Sequence, residues 1–251
     1  CSTVIFDAAG RTLYQAEHIP IHLGSLMGVV EAILERHVVA DIAEGDMFIG
    51  NDAYTGGGTH LPDIVLAAPI FYNGDLVGWA TNLAHHADFV DRGHAHIYQE
   101  GLRIPPTKFL IEGEPNELLH EMILSNVRLP DQVLGDLNAQ VAAFKVGSRR
   151  LIELADRFGT DHLISIFETL LDRSEAMTRA AIAAIPDGTY RYHDFLDNDG
   201  VDLETPIRIE VTTTISGEHV HIDFAGASPQ VLGPFNCMPS GSAAAAYFAL
   251  R

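Results

Sequence analysis

Two short clusters of histidine and aspartate lie 25 residues apart in the first part of this chain. The first is His60-Leu-Pro-Asp63 and the second is His85-His86-Ala-Asp88. Imidazole nitrogen and carboxylate oxygen suit zinc, manganese or iron, and catalytic sites typically use three protein ligands and keep one position open. His60, Asp63 and one of the adjacent histidines would make such a set. A metal that activates water there would make the chain a hydrolytic or carboxylating enzyme.

The segments around these clusters indicate how they could meet. Pro62 restricts the backbone and pushes its predecessor to an extended conformation, so a turn can bring Asp63 back beside His60. Residues 64–71 and 76–83 are apolar and rich in β-branched types around Asn73-Gly-Asp75, which predicts a β-hairpin. Antiparallel pairing returns the chain to the same sheet edge, which places both clusters together.

Histidines also serve in turns and in satisfied cores, and for a single one that is the commoner role. Here eight of the 13 histidines fall before residue 100, and this clustering favours ligation. His219 and His221 lie two apart on a predicted strand without a third partner nearby, so we interpret them as a solvated strand face. Arg103 could bind a carboxylate in bidentate fashion or form a surface ion pair with Glu100.

Composition excludes several classes of protein. The 251 residues are 47% hydrophobic and 20% charged, which allows a substantial core. A net charge of −19 disfavours nucleic acid and anionic membrane surfaces. The two cysteines form no disulfide framework, and no apolar run is long enough to cross a bilayer. We therefore expect a soluble, cytoplasmic protein.

The hydrophobic periodicity predicts an α+β fold, with mixed antiparallel β-sheets, a long helical hairpin over about 131–185 and flanking helices. One of these flanking helices is predicted over 25–39 behind a Ser25 N-cap. We expect a metal-site α+β region over 1–130, the helical hairpin over 131–185, and a β-rich region over 186–251 that continues into a truncated C-terminal part. Both ends fall inside predicted elements, which indicates an excerpt of a longer polypeptide.

Several longer motifs, in fixed order, resemble the hydantoinase B/oxoprolinase family along essentially the whole chain. They are Gly45–Tyr54, Gly57–Asp63, His85–Asp88, Ile97–Pro106, Gly135–Gln140 and Pro186–Tyr190. The family comprises B subunits or C-terminal halves of ATP-dependent 5-oxoprolinase and N-methylhydantoinase, with related acetone and acetophenone carboxylase subunits.

The resemblance implies a division of labour within a hetero-oligomer. A hydantoinase A-type partner with an actin-like fold uses ATP to phosphorylate the amide or ketone oxygen, and the B-type subunit completes the reaction at a divalent metal, whether zinc, manganese or iron. The implied ligands are His60, Asp63 and His85, with His86 as the fallback for the third. A further acidic ligand is expected from the N-terminal region, either Glu17 or a residue upstream of Cys1.

The same resemblance assigns weaker roles to three other residues. Asp88 or Glu17 could orient a ligating histidine or act as general base, and Arg103 could hold a substrate carboxylate. One departure is that the segment after Asp88 is shorter than in most members of the family. This difference puts in doubt that the family's substrates carry over to this chain.

The sequence leaves three functions open. The main expectation is an ATP-dependent amidohydrolase subunit that opens a cyclic amide, of the 5-oxoproline or hydantoin type, with metal-activated water. A metal-dependent ketone carboxylase subunit is the alternative inside the family. A non-catalytic, metal-stabilised assembly module is the alternative from another class.

Overall fold

The computed structural model describes residues 1–16, 19–55, 57–87 and 96–250, and for Leu23 it describes the backbone. These residues divide into two compact units. The second unit is essentially Glu168–Cys237, and the first takes in Ile97–Phe167, Met238–Arg251 and the N-terminal part of the chain. The three regions expected from the sequence, 1–130, 131–185 and 186–251, remain a prediction.

The first unit is built on a seven-stranded antiparallel sheet of order β2-β1-β5-β4-β3-β6-β7. The strands are β1 Ser2–Asp7, β2 Thr12–Gln15, β3 Met47–Gly50, β4 Asp63–Tyr72, β5 Asp75–His85, β6 Thr107–Ile111 and β7 Glu114–Pro115. The predicted hairpin of β4 and β5 therefore lies in the middle of the sheet. Its turn needs positive φ, which Asn73 (52°) and Gly74 (90°) adopt.

Helices α2 Val29–Arg36 and α4 Pro130–Phe158 close the cores on the two faces of this sheet. The other helices of the described residues are α1 His22–Ser25, α3 Glu117–Ser125, α5 Thr160–Ala183 and α6 Pro239–Leu250. Ile64 and Leu66 of β4 pack in the core that α4 closes, whereas Val65 and Ala67 pack in the core that α2 closes. The sequence of β4 is a continuous apolar run because its successive side chains enter opposite cores.

The predicted α+β fold and its two long helices are confirmed by α4 and α5, which meet at Gly159 with a φ of 82°. The helix predicted over 25–39 is confirmed by α2 over Val29–Arg36, but its predicted start and its Ser25 cap are wrong, because a separate short helix, α1, precedes it. Ser25 ends α1, and Gly28 at a φ of 81° precedes α2 without a side-chain cap. A left-handed glycine interrupts a helix that periodicity alone would continue.

The second unit contains a three-stranded antiparallel sheet of order β10-β9-β8. Its strands are β8 Gly188–Leu196, β9 Ile207–Ser216 and β10 His219–Asp223, close to the predicted positions. Asp199 in the β8–β9 connection is buried and accepts hydrogen bonds from the backbone N–H groups of Val201, Asp202 and Gly233. None of the helices in the described part of the chain has the length and apolar character needed to span a bilayer.

Candidate metal centre

The register of the central hairpin brings the two predicted clusters together. Asp63, the first residue of β4, pairs directly with His85, the last residue of β5. One residue further on, the His86 N–H donates to the Pro62 carbonyl at 2.8 Å, which holds the mouth of the hairpin closed. The expectation that the two clusters meet at one end of the hairpin is confirmed for Asp63, His85 and His86. Asp88 lies outside the described residues.

His60 reaches the same point through the predicted turn. The Asp63 N–H donates to the His60 carbonyl at 3.0 Å, which folds the segment back on itself. His60 Nε2 then lies 3.9 Å from Asp63 Oδ1, and the His60 and His85 rings are 4.7 Å apart between centroids. Nitrogen or oxygen atoms of His60, Asp63 and His85 all fall within 4.8 Å of one another, and no other group of this kind occurs among the described residues.

These three residues fit a divalent metal ion. Bonds of about 2.0–2.2 Å in a tetrahedral site place ligand atoms roughly 3.5 Å apart, so a closure of up to about 1.3 Å from the present 4.8 Å would complete the set. Two imidazoles and one carboxylate form a donor set that suits zinc, iron or manganese. Asp63 is 2% exposed, while the His60 and His85 side chains are partly or largely accessible, so the cluster is anchored in the core and open to solvent on one side.

Neighbouring backbone and a hydroxyl fix the Asp63 carboxylate. Thr59 donates to Asp63 Oδ2 twice, from its backbone N–H at 3.0 Å and from its hydroxyl at 2.7 Å. Gly58 adopts a φ of 68°, and a Cβ there would stand 2.6 Å from the Asp63 Cβ. Only glycine tolerates this approach and this backbone conformation. The other carboxylate oxygen of Asp63, Oδ1, is left to face the histidines.

Glu100 orients His60, a role that the sequence analysis missed because it paired this residue with Arg103. Its Oε1 lies 2.9 Å from His60 Nδ1, and its Oε2 accepts the Leu61 N–H at 2.8 Å. A carboxylate on one imidazole nitrogen selects the tautomer that presents the other nitrogen to a metal. Glu100 in the motif Ile97–Pro106 follows no strand or helix signal, so no local pattern places it beside residue 60.

Asn51 links the segments that carry His60 and Glu100. It is fully buried, its amide donates to the carbonyls of Leu61 at 2.8 Å and Leu102 at 2.9 Å, and its Oδ1 accepts the Ile104 N–H at 2.7 Å. The three hydrogen bonds of this one buried side chain hold the two irregular segments next to each other.

His22 is a third imidazole beside Asp63, which the sequence analysis did not place. Its Nε2 lies 3.9 Å from Asp63 Oδ1, and its Nδ1 is 2.9 Å from the Ser2 hydroxyl. Burial lowers the pKa of His22, and the nearby Asp63 carboxylate opposes this effect. The ring therefore favours its neutral form beside the cluster.

His86, the fallback ligand, points away from the cluster. Its Nε2 lies 2.8 Å from Gln140 Oε1 of α4, and its Nδ1 is buried without a hydrogen-bond partner among the described residues. Burial lowers the pKa of His86, against the opposing effect of the Gln140 hydrogen bond. Gln140 also donates to the carbonyl of Ile64 and to Oδ1 of Asn82, so His86 belongs to a buried network that joins the hairpin to α4.

The remaining predicted site residues lie elsewhere or outside the described residues. Arg103 Nε is 3.5 Å from Asp52 Oδ2, and its guanidinium carbon lies 5.3 Å from the Tyr98 ring centroid. Glu17 and Asp88 fall outside the described residues. The role of Arg103 in substrate binding thus stays a prediction.

Comparison with known proteins agrees with the motifs. The sequence profile of Hydantoinase B/oxoprolinase matches residues 1–251. The chain belongs to the hydantoinase B/oxoprolinase family. It is 35% identical to the beta subunit of the caprolactamase of Pseudomonas jessenii over 99% of this chain and 43% of that protein. The crystal structure of ATP-dependent caprolactamase from that organism superimposes with a TM-score of 0.92 at 34% identity, covering 99% of this chain and 44% of the other.

Two further relatives show the range of the family. The putative B subunit of a D-/L-hydantoinase from a Pseudomonas species (strain NS671) is 33% identical over 90% of this chain and 40% of that protein. The acetophenone carboxylase delta subunit of Aromatoleum aromaticum is 30% identical over 86% of this chain and 32% of that protein. The chain thus spans less than half the length of each of these relatives.

Proposed function

We propose that this chain is the metal-site part of an ATP-dependent amidohydrolase subunit that opens a cyclic amide. The observation that carries the proposal is the convergence of His60, Asp63 and His85 at the mouth of one hairpin. A carboxylate that is 2% exposed beside two imidazoles is costly unless it is paired or binds a cation. Membership in a family that includes caprolactamase and hydantoinase subunits supports the reaction class.

In this proposal His60, Asp63 and His85 hold the ion, and the surrounding residues keep them in place. Thr59 fixes one oxygen of Asp63, and Glu100 fixes the ring of His60. A divalent metal supplies a nucleophile from water near neutral pH and polarises a carbonyl as a Lewis acid. The open side of the cluster, where His60 and His85 are accessible, is where the amide carbonyl would approach.

ATP is assigned to a hydantoinase A-type partner. An unstrained amide resists attack by water, and phosphorylation of its oxygen creates a leaving group. The glycine-rich loop before His60 lacks the Gly-Lys-Ser/Thr ending of a phosphate-binding loop and packs on Asp63 instead. The name of the crystallised relative, an ATP-dependent caprolactamase, supports the use of ATP in the reaction.

A ketone carboxylase subunit is the second candidate, because the chain is also 30% identical to a subunit of acetophenone carboxylase. The two reactions differ in what is consumed. ATP-dependent loss of a lactam or hydantoin supports the amidohydrolase, whereas bicarbonate-dependent loss of a ketone supports the carboxylase.

The decisive experiment replaces His60 in the full-length protein assembled with its partner. We expect His60→Ala to lower metal affinity by more than about 100-fold, since changes behind a ligand already cost 10–100-fold. ATP-dependent ring opening should fall with metal content, both measured on the same preparation. His219→Ala is the matched control, because His219 lies on an exposed strand in the second unit.

Two results would contradict the proposal. Full metal content and full turnover in His60→Ala would show that the cluster takes no part in the reaction. Loss of folding on metal removal, with no turnover of any cyclic amide by the intact complex, would indicate the assembly module instead.

A further inference from the structure

His22 is a buried imidazole of α1 that faces the candidate metal centre but lies outside the set of three ligands. It is 3% exposed, and its Nε2 lies 3.9 Å from Asp63 Oδ1. The Nε2 atom of His60 lies at the same distance, 3.9 Å, from the same oxygen. Two imidazoles therefore approach one carboxylate oxygen equally closely.

The distance between His22 and Asp63 is too long for a hydrogen-bonded ion pair. A protonated histidine that pairs with a carboxylate approaches its oxygen to about 2.7–2.9 Å. Two ligand atoms bound to one ion instead lie roughly 3.5 Å apart. The observed 3.9 Å is thus closer to the distance between two ligands of one ion than to the distance within an ion pair.

The register of the sheet places the His22 ring on the face that carries the ligands. Asp63 of β4 pairs with His85 of β5. Ser2 of β1 pairs with Leu83, two residues earlier on β5. Paired residues share a face of the sheet, as do residues two apart on one strand, so Ser2 lies on the same face as Asp63 and His85. The Ser2 hydroxyl is 2.9 Å from His22 Nδ1, which brings the ring to this face.

The contact with Ser2 leaves the other nitrogen of His22 available to a metal. A neutral imidazole has one N–H donor and one lone pair, and a hydroxyl can accept the proton on Nδ1. The lone pair then lies on Nε2, the nitrogen that faces Asp63. Ligating histidines almost always have a hydrogen-bond partner on their second nitrogen, and Glu100 is that partner for His60. Ser2 has the equivalent position behind His22.

The position of His22 is fixed by contacts of its backbone and of α1. Gln15 of β2 donates to the His22 carbonyl at 3.2 Å, and the His22 N–H donates to the Ile19 carbonyl at 3.0 Å. A Cβ on Gly24 would stand 2.5 Å from the backbone nitrogen of Ala244, so α1 packs directly on the backbone of α6. A side chain that is fixed before a ligand binds needs little further ordering, which favours binding.

His22 lies outside the compact group that the other three residues form. The atoms that all lie within 4.8 Å of one another belong to His60, Asp63 and His85. With bonds of about 2.0–2.2 Å, two ligands on opposite sides of an ion lie roughly 4.3 Å apart, so a fourth ligand need not be close to every other one. An ion with more than four coordination positions accommodates His22 and still keeps one position open.

We infer that His22 is a fourth protein ligand of the metal ion and binds it through Nε2. Three imidazoles and one carboxylate then hold the ion, with Ser2 as the hydrogen-bond partner behind the His22 ring. The inference rests on the metal centre of the proposed function and adds to it a ligand from α1. The helix α1 thereby becomes part of the centre, together with the hairpin and the segment that carries His60.

The test counts the imidazole nitrogens bound to the ion in the full-length protein assembled with its partner. Copper(II), which accepts nitrogen and oxygen ligands, is loaded into the metal-free protein. The splitting of its electron paramagnetic resonance spectrum by bound nitrogen gives the count. We expect three nitrogens in the unchanged protein and two in His22→Ala. A count of two in the unchanged protein overturns the inference, and this measurement does not depend on the folding of any variant.

Two variants and a control measure the contribution of His22 to affinity. His22→Ala should lower the affinity for zinc about 100-fold, since changes behind a ligand already cost 10–100-fold. Ser2→Ala keeps the ring but removes its partner, so we expect a fall of about tenfold with three nitrogens still bound. Competition with a chelator measures both. His120→Ala is the matched control, because this half-buried ring of α3 stacks on Phe109 in the core that α4 closes.

The outcomes separate this inference from the proposed function. Unchanged zinc affinity in His22→Ala overturns the role of His22 as a ligand and leaves the centre of His60, Asp63 and His85 intact. A lower affinity with three nitrogens still bound in His22→Ala also overturns it, because the effect of His22 is then structural. Full turnover in His60→Ala overturns the proposed function, and the nitrogen counts for His22 are measured independently of turnover.

Discussion

Histidines lie at the open end of the β4–β5 hairpin and along the β10 strand of the β9–β10 hairpin, in two different environments. The first lies in the middle of a sheet with both faces covered, and its register sets His85 opposite the buried Asp63. The second ends at an edge strand, where His219 and His221 are exposed. Histidine spacing alone therefore does not indicate a metal site, whereas two histidines beside a buried carboxylate form a candidate one.

The buried carboxylate is what the second hairpin lacks. Asp63 is held by Thr59, and His60 is held by Glu100, so irregular segments on either side of the hairpin complete the cluster. Removing a carboxylate from water is unfavourable without such partners. Buried ionisable groups with specific charge partners are frequent at functional sites, which favours the first hairpin as the site.

The largest effect within this comparison should come from Glu100→Gln. This change keeps the size of the side chain but removes the charge that orients His60, so we expect metal affinity to fall about 10–100-fold. Competition with a chelator measures it. Glu121→Gln on the outer side of α3 is the control. Equal affinities in both variants would mean that the His60 ring needs no carboxylate behind it.

Gln140→Leu should affect stability more than metal binding. The change removes the hydrogen-bond partner of His86 Nε2 and of Asn82 Oδ1, at a cost of about 1–3 kcal/mol in the free energy of unfolding, whereas the bond from Asn82 to the backbone carbonyl of residue 140 remains. Denaturant unfolding measures this loss. Gln132→Leu, exposed in the first turn of the same helix, is the control.

A stronger effect of Gln140→Leu on metal affinity than on stability would change the roles assigned to His85 and His86. If Gln140→Leu lowered metal affinity as strongly as Glu100→Gln while stability stayed constant, His86 would belong to the ligand set after all.

Much of the site could be predicted because its key contacts are local. Pro62 favours the turn that returns Asp63 to His60, and the Asn73-Gly74 turn fixes the register that pairs Asp63 with His85. The choice between His85 and His86 was left open, because side-chain direction at a strand end depends on the exact residue where pairing stops.

The contacts that could not be predicted from the sequence are long-range. Glu100 reaches His60 across 40 residues and Gln140 reaches His86 across 54. Both depend on how α4 and the segment before β6 pack on the sheet, and no local pattern encodes that. The break between α1 and α2 was missed for another reason, since an apolar period of helical type continues through Gly28 although its backbone is left-handed.

The smallest effect should come from replacing both histidines of the second hairpin. The double variant His219→Ala with His221→Ala removes side chains from an exposed strand, so the free energy of unfolding should change by less than about 0.5 kcal/mol. Metal content and ATP-dependent turnover of the full complex should equal those of the unchanged protein. A fall in metal content would show that β10 contributes ligands to an ion through a contact outside this chain, and the contrast between the two hairpins would then reflect the assembly rather than the sheet.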